Sequence, residues 1–364
     1  MKLGMFLMPM HPPGKPHAQS YDVDLETLIW ADELGFDEAW IGEHFTSQWE
    51  NIPAPDLMIA AALQRTRRIR LGTGVACLPN HHPVVLAHRI AQLDQMAKGR
   101  FNFGIGSGGF PGDFELFRID LTNGEHRTIT REAIDLVLQV WERARAHADG
   151  LESETDRWKF KLPQPRDWGL AVHMAPYQQP HPPIAVAGLT TKSETLVLAG
   201  ERGWIPMSIN FVPIPTLVSH WQAVEEGAAR TGQTPRRSEW RIARDIYIAE
   251  TTEQARREAK AGAQAAVYHD YFLPLLRAVK QIYLFKPDPS IPDEAITIDW
   301  LLDNLWIVGS PDEVARRLRE LHAQVGGFGG ILQLNYDWGD QQEKNFRSME
   351  LLAKKVMPQL ASLP

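Results

Sequence analysis

Short apolar runs recur along the chain, spaced so that one amphipathic helix fits between each pair. Residues 3–8, 38–42, 69–77, 184–188, 204–209, 241–250 and 330–335 read as strands. So does the run opening at Arg100, where Phe101, Phe103 and Ile105 alternate with Asn102 and Gly104. Helical periodicity occupies 25–34, 54–64, 84–96, 128–146, 192–200, 216–231, 252–266 and 312–323, and a last helix runs to Met357. Eight strands, each followed by a helix, predict an α/β fold of the (β/α)8 TIM-barrel type, with an open doubly wound sheet as the competing arrangement. Two stretches break the pattern. Residues 150–183 lapse into Trp, Pro and charge, and residues 268–306 read as irregular and rich in Tyr, Phe and Pro. Both are expected to be excursions from a single barrel domain spanning 1–364, the second placed where a lid would sit.

Four glycines crowd the end of the fourth strand, at 104, 106, 108 and 109. Glycine weakens a strand, so its use there calls for a close approach, by a flat ligand or a phosphate, that a Cβ would block. Gly104, Gly106 and Gly109 also satisfy the dinucleotide fingerprint G-x-G-x-x-G. That motif has meaning only when its third glycine opens a helix, and here Phe110-Pro111-Gly112-Asp113 reads as a turn, with the next helical pattern near Thr128.

Barrel logic directs attention to the carboxyl ends of the strands. The candidates there are Pro9 and His11, Glu43 and His44, 75–79, 106–109, 188–193 and Asn210. His44 can relay a proton near neutral pH, or it can simply hold a loop. The adjacent His81 and His82 point apart and belong to no metal-binding spacing, so no metal is expected. Gly72 and Gly74, inside an apolar strand, admit either a flat ligand or tight packing in the barrel layer. The run Gly188-Leu189-Thr190-Thr191-Lys192-Ser193 joins a strand end to a helix start, which suits a phosphate or ordinary N-capping.

Composition changes this picture little. In 364 residues, 44% hydrophobic and 23% charged content is that of a globular protein, and a formal net charge of −7 without a Lys/Arg cluster argues against nucleic acid. Cys77 is the only cysteine, so a reducing, cytoplasmic setting is expected. Pro9, Pro12 and Pro13 interrupt the only apolar start, so neither a signal peptide nor a membrane span is expected.

Several of these stretches together resemble the bacterial luciferase-like flavin monooxygenases, from Met1 to about Pro358. They are Gly35-Phe36-Asp37 with Trp40 and Glu43-His44, Leu78-Pro79 with His82-Pro83, Leu93-Asp94-Gln95-Met96, and Lys98-Gly99-Arg100-Phe101. Trp49-Glu50-Asn51-Ile52-Pro53, Leu198-Ala199-Gly200-Glu201-Arg202, Val308-Gly309-Ser310-Pro311-Asp312 and Gly326-Gly327-Phe328-Gly329 are similar to the limonene and diketocamphane (type II Baeyer–Villiger) monooxygenases in particular.

The resemblance implies an FMN-dependent monooxygenase. Reduced FMN would come from a separate flavin reductase drawing on NAD(P)H, and O2 would supply one oxygen to a small apolar substrate such as a terpenoid, cyclic ketone or aldehyde. It implies a homodimer through helices of the barrel's amino half, with His44 as the acid–base residue. Gly74-Val75 would lie where the family has a non-prolyl cis peptide beneath the flavin. Gly106 matches the luciferase reactive cysteine and Ser107 the adjoining phosphate-binding arginine, so the phosphate would lean on Ser107, Gly188, Leu189 and Ser193. A deazaflavin-dependent dehydrogenase on the same barrel and a non-catalytic flavin-binding subunit are the rival expectations.

Overall fold

The barrel closes. In the computed structural model, which describes residues 1–121, 123–155 and 157–363, eight strands run parallel. They are β1 (Lys2–Leu7), β2 (Glu38–Ile41), β3 (Arg70–Thr73), β4 (Phe101–Gly106), β5 (Ile184–Gly188), β6 (Ile205–Ser208), β7 (Arg241–Arg244) and β8 (Gly330–Asn335). Each pairs with its neighbours in sequence, and Lys2↔Gly330 joins the last to the first, so the doubly wound alternative is excluded. The strands are buried almost throughout, which is why they read as near-continuous apolar runs.

Inside the barrel the indole of Trp40 fills the layer between β2, β3 and β4. A Cβ on Gly72 or Gly74 would come within 2.8 Å of Trp40, and one on Gly104 would sit 1.9 Å from the Thr73 carbonyl oxygen. At Gly72 the flat group admitted is therefore the protein's own indole, and at Gly104 the close neighbour is the Thr73 carbonyl, so packing accounts for these two. Below Trp40, a buried ion pair joins Arg241 Nε to Glu38 Oε1 at 2.7 Å, and Trp40 Nε1 donates to the same oxygen. One apolar core lies between strands and helices. The other occupies the barrel interior and continues upward into residues 265–308.

Several predicted boundaries are corrected. The expected strand 69–77 is two pieces, β3 and Ala76–Cys77, with a cis peptide at Gly74-Val75 between them. Leu71 faces Phe101, whereas Ala76 faces Ile105, a one-residue slip that breaks the ladder. The expected strand 241–250 also divides. Ile246–Ile248 leaves the barrel wall to pair in parallel with Ile307–Gly309.

Residues 268–306 are largely helical, not irregular. Ala263–Val267 runs through a π-turn at Tyr268–Phe272 into Leu273–Ala278, and Ile298–Asn304 forms a further helix. Pro274 hides this in the sequence, since it removes an N–H inside the helix just after the widened turn. The first excursion holds a small antiparallel hairpin, Glu152–Glu154 with Lys159–Lys161. The first helix starts early, at His17, and ends at Leu34 on left-handed Gly35 as its sequence predicts. Phe110–Asp113 is less a turn than the entry to a short helix, Pro111–Leu116, and the long helix after it begins at Glu125. Among the described residues no helix is long and apolar enough to cross a membrane.

Candidate active site

The carboxyl ends of β2, β3, β4 and β5 form one arc of the barrel mouth. His44 stands two residues past Gly42 at the end of β2, half-buried, its ring edge-on to Phe110 at 5.3 Å. Two carboxylates bracket the imidazole: Nδ1 lies 3.3 Å from Asp113 Oδ2 and Nε2 lies 3.3 Å from Glu50 Oε2. Burial opposes a charge on this ring, but Glu50, Asp113 and Glu43 outweigh it and raise the His44 pKa above its ordinary value.

Asp113 is fixed in turn. Its Oδ1 accepts from the Phe45 amide at 3.1 Å, the Thr46 amide at 2.9 Å and the Thr46 hydroxyl at 2.6 Å. Burial acts to raise its pKa, but the hydrogen bonds from His44 and Thr46 overcome that and hold it low, so it remains a carboxylate. Glu50 Oε1 accepts from the Tyr271 hydroxyl at 2.7 Å. Tyr271 comes from the helical excursion, receives a hydrogen bond from Ser47 Oγ at 2.9 Å, and stacks on Trp49 with centroids 5.7 Å apart. Burial first, and the Glu50 charge second, push its pKa up, so it stays a phenol that donates.

Val75 follows the cis peptide and is half-buried at the rim. Gly106 makes room for it, since a Cβ there would meet Val75 Cγ2 at 2.5 Å, whereas a Cβ on Gly109 would meet nothing within 4 Å. Ile105 faces Val186 across β4 and β5, so Ser107 and Gly188 stand at adjoining strand ends two residues on. Ser107 is buried, and its hydroxyl has no partner within the protein. A buried orphan hydroxyl is costly unless something outside the chain meets it, and here it points to a polar ligand.

Ser193 is differently placed. Its Oγ caps the helix Glu194–Arg202 by accepting from the Leu196 amide at 3.4 Å, and it bonds Thr195 Oγ1 at 2.9 Å. Leu189 beside it is partly exposed.

Other candidates are spent on structure. Asn210 Nδ2 donates to Asp245 Oδ2 at 3.0 Å and to the Tyr268 hydroxyl at 2.9 Å. His11 lies between Asp337, 2.7 Å from Nδ1, and Asp24, 3.1 Å from Nε2, with Lys15 also on Asp337. His81 is paired with Glu43 at 2.8 Å. Sequence reasoning missed Asp113 and Glu50 as the partners of His44. The one local signal for Asp113 was an acidic residue two places after Pro111, which suits the first turn of a helix.

Comparison with known proteins fits this geometry. A family model described as luciferase-like monooxygenase matches residues 1–327. The oxygenating constituent of 3,6-diketocamphane monooxygenase from Pseudomonas putida, a type II Baeyer–Villiger monooxygenase solved in complex with FMN, superposes with a TM-score of 0.90 at 31% identity, covering 98% of each chain. A 4-hydroxyprotoasukamycin monooxygenase from Streptomyces nodosus subsp. asukaensis is 34% identical, over 98% of this chain and 92% of its own. A limonene 1,2-monooxygenase from Rhodococcus erythropolis is 33% identical, over 98% of this chain and 85% of its own.

Proposed function

The chain belongs to the luciferase-like monooxygenase family, and from that premise we propose that it is the oxygenase component of a two-component system. It would take reduced FMN from a separate NAD(P)H-dependent reductase and use O2 to oxygenate a small apolar compound. The observation that carries this reading is the orphan hydroxyl of buried Ser107 on the same arc as the doubly flanked His44.

The residues present fit the cofactor. Val75 and Gly74 would floor the ring system, Ser107, Gly188 and Leu189 would meet the phosphate, and Ser193 would hold the helix start behind them. Bound reduced flavin supplies the activation of dioxygen. The protein's part is to bind, to exclude water and to present a proton. His44 serves the last of these from its Nε2. The helical excursion serves the second, because Tyr271 and Trp49 close its contact with the β2 loop. Apolar Phe110 and Trp49 suit a terpenoid, cyclic ketone or aldehyde. A homodimer would use the helices Pro55–Leu63 and Pro83–Ala97, where Leu57 is 68% and Val85 55% exposed.

The test is a substrate screen with a generic flavin reductase, read by mass spectrometry for the gain of one oxygen. Oxygen uptake with product is expected on FMN, and turnover only after a deazaflavin is supplied would overturn the reading. In the same assay Tyr271→Phe should raise the hydrogen peroxide released per NADH consumed, while unchanged coupling would remove the lid from the account.

A further inference from the structure

The two carboxylates beside His44 are not equivalent. Asp113 is saturated by backbone and hydroxyl donors and reaches Nδ1 within hydrogen-bonding geometry. Glu50 is 3% exposed, and its Oε2 stands 3.3 Å from Nε2 yet has no hydrogen-bond partner. The contact is close enough for charge to act, but its direction leaves the Nε2 proton uncommitted. The other oxygen of Glu50 is held by the Tyr271 hydroxyl at 2.7 Å, which favours this orientation of the carboxylate.

We infer that Glu50 is a positioning residue for the reaction, its carboxylate set beside Nε2 of His44 so as to favour a proton there while leaving that N–H free to be aimed at a reacting oxygen. His44 then works as a proton donor, not as a base that must first lose its proton. The orientation of Glu50 comes from the helical excursion through Tyr271, so the donor is complete only when that segment is seated. This deepens, and rests on, the oxygenase reading above.

Asp113 and Glu43 also favour a charge on the ring, but Glu50 alone of the three faces Nε2. Glu43, on the same loop, is engaged by His81 and by the Cys77 amide. The Cys77 thiol is pushed well up, by burial first and the neighbouring carboxylates second, and stays neutral. Phe110 is apolar, Tyr271 remains a phenol, and Asp113 guards the opposite nitrogen.

The experiment is an NMR titration of the His44 ring in the full-length apoprotein, with its signals assigned by their loss in His44→Ala. The wild-type midpoint should lie above 6.5. Glu50→Gln, which keeps shape and removes charge, should lower that midpoint by about one unit or more, the usual effect of losing a close opposite charge. Glu50→Asp should retain at least half of the elevation, because the charge survives. In turnover, the alkaline limb of kcat should move to lower pH in Glu50→Gln while KM for the organic substrate stays put.

A Glu50→Gln midpoint equal to wild type overturns the inference, as does a Glu50→Asp midpoint that falls as far as that of Glu50→Gln. The titration needs no flavin. Its failure would therefore leave the oxygenase reading standing, whereas absence of oxygenated product across the substrate screen would remove that reading and leave the titration intact.

Discussion

The mouth of the barrel has two arcs built on opposite plans. On the arc of β2 to β5, His44 is half-buried, its contacts to two carboxylates are long at 3.3 Å, and the Ser107 hydroxyl is unpartnered. On the arc of β6 to β8, Asp245 is fully buried and accepts from three side chains. These are the hydroxyls of Tyr336 and Tyr268, the latter at 2.8 Å, and Asn210 Nδ2 at 3.0 Å. Phe211, Phe272 and Phe285 then roof that arc with edge-to-face rings. Burial pushes the Asp245 pKa up against the pull of those hydrogen bonds, and it brings the Arg244 guanidinium down to about 10. Both arcs hold titratable groups near strand ends. What separates their titratable groups is saturation: Asp245 is bonded by three donors, whereas His44 keeps only long contacts to its two carboxylates, and that is where chemistry can be done.

Removing the central group of each arc should therefore give unlike losses. His44→Ala is expected to lower product formation by about 100-fold or more, the range for a lost acid–base group, with FMN affinity nearly unchanged by fluorescence titration. Parallel loss of both would make His44 a cofactor-retention residue. Asp245→Ala should instead strand three buried donors and cost on the order of 3 kcal/mol of unfolding free energy, read by denaturant melts. A small change there would dissolve the contrast.

A third cluster sharpens it by pH. Burial opposes a charge on His11, but hydrogen bonds and attraction from Asp24 and Asp337 raise its pKa to about 9, against 6.5 when unfolded. A raised pKa adds stability that is fully present below 6.5 and is lost as pH climbs to about 9. The loss should be on the order of 3 kcal/mol across that window, and it should vanish in His11→Gln. Equal stability at both ends in the wild type would sink the assignment. The smallest effect is expected at Ser107. Its replacement by alanine should weaken FMN binding by about 1 kcal/mol, the worth of one hydrogen bond, and leave unfolding unchanged. A loss of stability with no loss of affinity would show that its hydroxyl serves the fold.

The division of plan explains what the sequence made legible. Barrel strands announce themselves because both faces are buried, and His44 stands where barrel logic looks. The setting of His44 could not be read, because Asp113 is 69 positions away and the Tyr271 that orients nearby Glu50 is 221 positions from it. Neither spacing leaves a periodic trace. The glycines were legible as a need for room, but not as room for the Trp40 ring at Gly72 or for the Thr73 carbonyl at Gly104. The break in β3 was hidden for a related reason, since Leu71 on one side of the slip and Val75, Ala76 and Cys77 on the other continue one apolar run.

The parallel pair Ile246–Ile248 and Ile307–Gly309 sets the departure and return of residues 249–306 side by side. A segment that exits and re-enters side by side can vary in its outer parts, while Tyr268 and its apolar neighbours tie its inner face to the barrel interior. Diversification of what this scaffold accepts would then be concentrated in those outer parts, leaving the arc of β2 to β5 to be inherited unchanged.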